Sequence, residues 1–279
     1  MPELDPRTID TFWGRENLAE AILAALTARG ADLDALTPDT VAPVDQFHGG
    51  GKPATDRLAR LAGAAPGLQV LDVGGGFGGP ARTLAAELGC LVTTVDLTAS
   101  YVRAAQALTT RMRLDDRVSH HIGNALALPF PDETFDLVWT QNSGMSIADK
   151  ERLYAGFHRV LRPGGLLALQ EPMAGPVGPL LYPVMWARDA STTFLRTPAE
   201  MRAVIEGAGF RLRAWDDVTA ETAGPPTAAS IPAHSIQRLV MGDAIDEIIR
   251  VGHRNRDEDR LVSIQAVFER PLDKTAPAG

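Results

Sequence analysis

Residues 67–88 read GLQVLDVGGGFGGPARTLAAEL. An apolar run from Val70 to Val73 breaks into Gly74, Gly75, Gly76, Phe77, Gly78 and Gly79. Pro80 then opens a pattern in which Ala81, Leu84, Ala85 and Leu88 recur at helical spacing, closed by Gly89. The spacing predicts strand, glycine turn, helix. Glycines admit positive φ and let a ligand approach where a Cβ would stand. Pro suits a first helical turn, and the helix start offers free N–H groups to an anionic or polar group. The stretch lacks the G-x-x-x-x-G-K-[ST] of a phosphate-binding loop. Gly74, Gly76 and Gly79 do fit G-x-G-x-x-G, so a dinucleotide site stays open at this point. Asp96 ends the next apolar run, Leu91 to Val95. A carboxylate there can accept both ribose hydroxyls of an adenosine ligand, whichever cofactor carries it.

The rest of the chain alternates in the same way. Helical patterns cover Pro53–Leu61, Ser100–Met112, Lys150–Leu161 and the stretch from the capping box at Thr197-Pro198-Ala199-Glu200 to Gly209. Strands are predicted at Val118–Ile122, Phe135–Thr140, Leu166–Gln170, Phe210–Val218 and Leu261–Phe268. Such alternation predicts an α/β fold, a parallel sheet with helices on both faces. An amphipathic pattern from Thr8 to Arg29 predicts an N-terminal helix that packs on the main domain, on a sister subunit, or over the site as a lid. Residues 1–52 form that helical lid segment, 53–171 the cofactor-binding core, 172–197 and 219–255 two cap insertions, and 271–279 a flexible tail, all within one domain.

Composition narrows the partners. The 279 residues are 45% hydrophobic and 22% charged, ordinary for a globular chain. Net charge is −8, from 27 basic against 35 acidic residues, with no basic block. Nucleic acid and anionic membrane are therefore not expected as main partners. A single cysteine, Cys90, excludes an internal disulfide and fits a reducing cytoplasm. No apolar run reaches the roughly 18 residues of a membrane span, and the N-terminus carries no apolar leader segment. No Cys/His cluster has metal-ligand spacing, so no catalytic metal is expected.

Together these motifs resemble a class I S-adenosylmethionine-dependent methyltransferase, with a Rossmann-like seven-stranded sheet. Val70 to Gly78 resembles the family's first motif, which wraps the methionine end of the cofactor, and Asp96 matches the ribose ligand. Gly123-Asn124-Ala125 resembles the family's G-D-A adenine motif, with Asn124 in place of the usual Asp. Phe135-Asp136-Leu137-Val138 resembles the fourth strand, and Arg159 to Gly165 the turn before the fifth. The later motifs are not expected of nicotinamide enzymes. Asp45-Gln46-Phe47-His48 and the glycines behind it resemble the small-molecule branch near sarcosine and dimethylglycine N-methyltransferases and related natural-product enzymes.

The resemblance implies S-adenosylmethionine as cofactor, a small-molecule substrate and methyl transfer to N or O. C-methylation, cyclisation or another non-methylating use of the sulfonium, and a non-catalytic cofactor-binding partner, remain open; so does a homodimer. It also implies site residues. Asp72, Gly74, Gly75, Gly76 and Gly78 hold the methionine end, Asp96 the ribose, and Leu97, Asn124, Ala125 and Leu126 the adenine. Gln141 contacts the methionine carboxylate or the substrate. Glu171 is a candidate base or amine ligand, His48 a base or lid contact, and Asn142 an orienting group. Tyr182 and Trp186 form an aromatic wall, and His234 is a further substrate contact.

Overall fold

The computed structural model describes residues 17–224 and 227–272. A seven-stranded sheet runs through the middle in the order β3-β2-β1-β4-β5-β7-β6. Its strands are β1 (Gln69–Val73), β2 (Leu91–Asp96), β3 (Val118–Ile122), β4 (Phe135–Gln141), β5 (Leu161–Ala174), β6 (Arg211–Asp217) and β7 (Leu261–Glu269). Pairings from β3 to β5 are parallel, and β7 runs antiparallel to both of its neighbours. The sheet is thus mixed, where strand–helix alternation alone predicted a parallel one. The last strand re-enters between β5 and β6, a path that no local pattern encodes.

Helices α1 (Leu18–Ala28), α2 (Pro38–Asp45), α3 (Gly51–Leu61), α4 (Gly79–Leu88), α5 (Ala99–Arg111), α6 (Lys150–Val160), α7 (Pro198–Gly207), α8 (Ile236–Met241) and α9 (Ile245–Asp257) complete the described fold. Sequence punctuation sets their ends. Gly78 and Gly89 take left-handed φ on either side of α4, and the Thr197–Glu200 capping box starts α7. Gly242 breaks the predicted helical stretch 236–249 into α8 and α9. The Arg162–Gly165 segment, expected as the turn before the fifth strand, lies within β5 as an irregularity, with Phe135 paired to Leu161 and Leu137 to Leu166. Ile9, Phe12 and Trp13, the front of the predicted N-terminal stripe, lie outside the described residues, as does the tail from residue 273.

Both sheet faces are buried. One packs on α6 and α7 through Leu153, Phe157, Met201 and Ile205; the other packs on α3 and α4 through Leu58, Ala59, Ala81 and Leu84. A third cluster joins α1, α2 and α5 to α8, with Ile22, Leu26, Val41, Val44, Tyr101 and Ile236 around Phe77. The N-terminal segment and the second insertion therefore share one apolar core above the carboxyl ends of the strands. Cys90 is fully buried in the core.

Candidate active site

The glycine turn leaves β1 in a tight path fixed by two strands. Gly74 and Gly75 donate their N–H groups to the Val95 carbonyl of β2 at 2.8 and 3.3 Å. Gly74, Gly76 and Gly78 have φ of 75°, 52° and 75°. Close approach compels glycine as well as φ. A Cβ at Gly75 would lie 2.7 Å from Thr94 Cβ, and one at Gly79 would lie 2.6 Å from the Asp45 carbonyl oxygen. Beneath the turn, Arg82 and Asp45 form a fully buried ion pair at 2.8 Å, and Arg82 also donates to the Phe77, Ala105 and Thr109 oxygens.

Two carboxylates flank this turn. Asp96 accepts from the Gly76 N–H at 2.9 Å on one oxygen and from the Thr98 N–H at 2.8 Å on the other. The Thr98 hydroxyl and the Leu97 N–H also bond to this carboxylate. Burial raises its pKa against the pull of those N–H groups. Asp72 Oδ2 is buried with no partner. Burial first, and then the Asp96 charge, push Asp72 up to about 7. Asn124 spends its side-chain oxygen on the Leu126 N–H at 2.9 Å, capping the turn at Ala125–Ala127.

These residues open onto a cavity of about 990 Å³. Asp72, Gly74, Gly75, Gly76, Asp96, Leu97, Asn124, Ala125, Leu126 and Gln141 all line it, as do His48, Asn142 and Trp186. Gly78 does not; its α-carbon faces Arg82 and His120. Gln141 reaches the wall with its amide largely engaged, its oxygen accepting from Trp139 at 3.0 Å and Thr55 at 3.1 Å.

His48 sits in the same network. Its Nε2 lies 2.8 Å from Gln46 Oε1, an amide oriented by the contact of its nitrogen with Thr83. Its Nδ1 lies 3.2 Å from the Gly49 carbonyl, so each ring nitrogen faces an acceptor oxygen. Burial lowers its pKa to about 4, so the ring is neutral at pH 7.

Three predicted substrate-side residues lie elsewhere. Glu171 is buried behind the 142–149 loop, where Oε1 accepts from the Ser143 and Gly144 N–H groups. Tyr182 is half-buried against the cluster of Met145, Val184, Trp186, Ala187 and Leu261 and does not line the cavity. His234 is exposed away from the cavity wall. Conversely, Phe77, Tyr101, Ser143 and Met145 line the cavity without having been singled out. Phe77 was visible inside the glycine run; its stacking against Tyr101, with ring centroids 4.2 Å apart, depends on α5.

The arrangement suits an adenosine ligand with a cationic end. Asp96 and Asp72 both line the cavity, and Asp72 Oδ2 is buried without a partner. Residues 71–169 match the family described as "Methyltransferase domain". This stretch is a methyltransferase domain, and S-adenosylmethionine is its cofactor. This methyltransferase is 29% identical over 203 residues to methyltransferase GfsG of Streptomyces halstedii, covering 72% of this chain and 73% of that one. It is 36% identical to the 27-O-demethylrifamycin SV methyltransferase of Amycolatopsis mediterranei, over 44% of this chain and only 45% of that relative. In fold it is similar to the [4+2]-cyclase SpnF, with a TM-score of 0.68, 19% identity, and coverage of 96% of this chain and 95% of that one.

Proposed function

We propose that this methyltransferase moves a methyl group from S-adenosylmethionine to an oxygen or nitrogen of a bulky, largely apolar small molecule, by in-line displacement. What carries the proposal is the continuity of the cavity. Its polar end at Asp72, Gly74 and Asp96 runs without a break into a chamber walled by Met145, Val184, Trp186, Ile231, Ile248 and Leu261. A volume of about 990 Å³ is at the upper end for one ligand and suits a donor and an acceptor together.

Several carboxylates around the cavity are already engaged, while Glu221 and Arg256 also line it. Asp45 is paired with Arg82, Glu151 with Arg196 at 2.8 Å, and Asp149 caps α6 through the Arg152 N–H. Glu171 is turned to the loop behind the wall. An ammonium in the chamber would depend on Glu221 for a carboxylate, and a buried unpaired charge is costly.

Bound S-adenosylmethionine supplies an electrophilic methyl on a sulfonium. The chain's own part is to align and to exclude water. Asp72 and the glycine turn hold the methionine end, Asp96 fixes the ribose, and Leu97 and Leu126 flank the adenine. For a hydroxyl acceptor, His48 is the residue on the chamber wall that can take the proton, and Asn142 orients the polar group.

A second reading uses the same chamber to cyclise an apolar chain without spending the methyl. The full-length fold likeness to a [4+2]-cyclase motivates it. Methyl-labelled S-adenosylmethionine, offered with hydroxylated macrolides, sterols, phenols and amines, separates the two. Label in the acceptor with one S-adenosylhomocysteine per product supports methyl transfer. An isomer of the substrate without S-adenosylhomocysteine supports cyclisation.

A further inference from the structure

The loop between the two ends of the cavity is held from behind by two buried charges. Residues 142–149 present Asn142, Ser143, Met145, Ser146 and Ile147 to the cavity. Behind them, Glu171 Oε1 accepts from the Ser143 N–H at 3.2 Å and the Gly144 N–H at 2.8 Å. Lys150 Nζ donates to the Gly144 carbonyl and, at 2.6 Å, to the Ile147 carbonyl. Each residue is 2% exposed. Gly144 bonds to both, through its N–H and its C=O, and a Cβ there would lie 2.9 Å from Glu171 Oε1. In front, Ser143 Oγ bonds Thr140 at 2.6 Å and the Val73 carbonyl at 3.3 Å, tying the loop to the strand that feeds the glycine turn.

We infer that Glu171 and Lys150 are positioning residues, a buried clamp that fixes the 142–149 loop and with it the spacing between the donor turn and the acceptor chamber. An anion takes the N–H groups of the peptide turn and a cation takes its carbonyls. Two buried charges are a costly way to fill space, since apolar residues of similar volume often do as well or better. What the charges add here is a fixed loop path. Burial raises the pKa of Glu171 and lowers that of Lys150 to about 8, consistent with groups that bond to peptide rather than to water. The inference rests on the proposed methyl transfer only in naming what the loop aligns.

Amide hydrogen exchange on the full chain, with S-adenosylhomocysteine affinity by calorimetry, tests the clamp in Glu171→Leu, Glu171→Gln and Lys150→Met. Glu171→Leu is expected to speed exchange at Ser143 and Gly144 about tenfold or more while β1 and β4 stay protected. S-adenosylhomocysteine affinity should stay within about threefold, because Asp72 and Asp96 are untouched. Glu171→Gln keeps one acceptor oxygen and should restore the protection. Lys150→Met frees the carbonyl side and should speed exchange at Ser146 and Ile147; it reads the clamp even if Glu171→Leu fails to fold. Where an acceptor is turned over, kcat should fall about 100-fold at unchanged acceptor KM. Unchanged loop protection in both Glu171→Leu and Lys150→Met overturns the clamp. So does exchange that rises equally across the sheet, or a Glu171→Gln that rescues nothing. None of the exchange readouts requires methyl transfer, so either proposal can fail without the other.

Discussion

A Cβ on Gly74 would stand 2.3 Å from Ser143 Cβ, with Gly74 φ at 75°. The donor turn and the loop after β4 are therefore in backbone-to-side-chain contact. Gly74→Ala should weaken S-adenosylhomocysteine binding more than tenfold, since it adds left-handed strain of about 1–2 kcal/mol to a steric clash. Ser143→Gly removes the clash but not the strain. The double variant Gly74→Ala/Ser143→Gly should thus recover part of the affinity in a calorimetric cycle. A fully additive loss contradicts the contact.

Asp96→Ala removes a charged acceptor and the group that bonds the Gly76 and Thr98 N–H groups. Cofactor affinity should drop by about 1.5–3 kcal/mol. An unchanged calorimetric Kd contradicts the ribose assignment.

Asp72 sets a pH dependence for binding. Its carboxyl is raised to about 7 without a partner, so it is largely protonated below that pH. An ammonium beside it favours the carboxylate, so binding at lower pH must release the proton. Affinity should rise with pH up to about 7 and level off above, with a slope of at most about tenfold per pH unit below it. Asp72→Asn should flatten that slope. A wild-type affinity constant from pH 5.5 to 8 contradicts the role.

The buried Arg82–Asp45 pair should matter to stability well beyond an exposed pair. Arg82→Met strands Asp45 and the Phe77 carbonyl without their donor, and the expected cost is about 3–5 kcal/mol in chemical denaturation. A loss under about 1 kcal/mol contradicts the importance of the pair.

The donor half was legible because its signals are local. The glycine run, Asp96 at a strand end and Gly123-Asn124-Ala125 each lie within a few residues of the backbone feature they serve. Glu171 was not legible in the same way. A carboxylate ending β5 reads as a substrate ligand, and only the return of the 142–149 loop over it turns its oxygen to peptide N–H groups. Tyr182 likewise has a side chain suited to substrate or core, and only the folded cluster around Val184 and Ala187 shows it packed. The antiparallel β7, which pairs Ile264 with Glu171, and the core that joins α1 and α2 to α8 depend on contacts far apart in sequence, which no periodicity carries.

In the proposed division of the cavity, Trp186 and Met145 belong to the acceptor chamber. Trp186→Ala should raise acceptor KM about tenfold or more while S-adenosylhomocysteine affinity holds within about twofold. Parallel loss of both contradicts the division of the cavity.

The most direct measurement follows the methyl group itself. With methyl-labelled S-adenosylmethionine and a panel of bulky hydroxylated and amine-bearing acceptors, the label should appear on an acceptor oxygen or nitrogen, matched one to one by S-adenosylhomocysteine. Label on an acceptor carbon, or an isomerised acceptor with S-adenosylmethionine left intact, would contradict it.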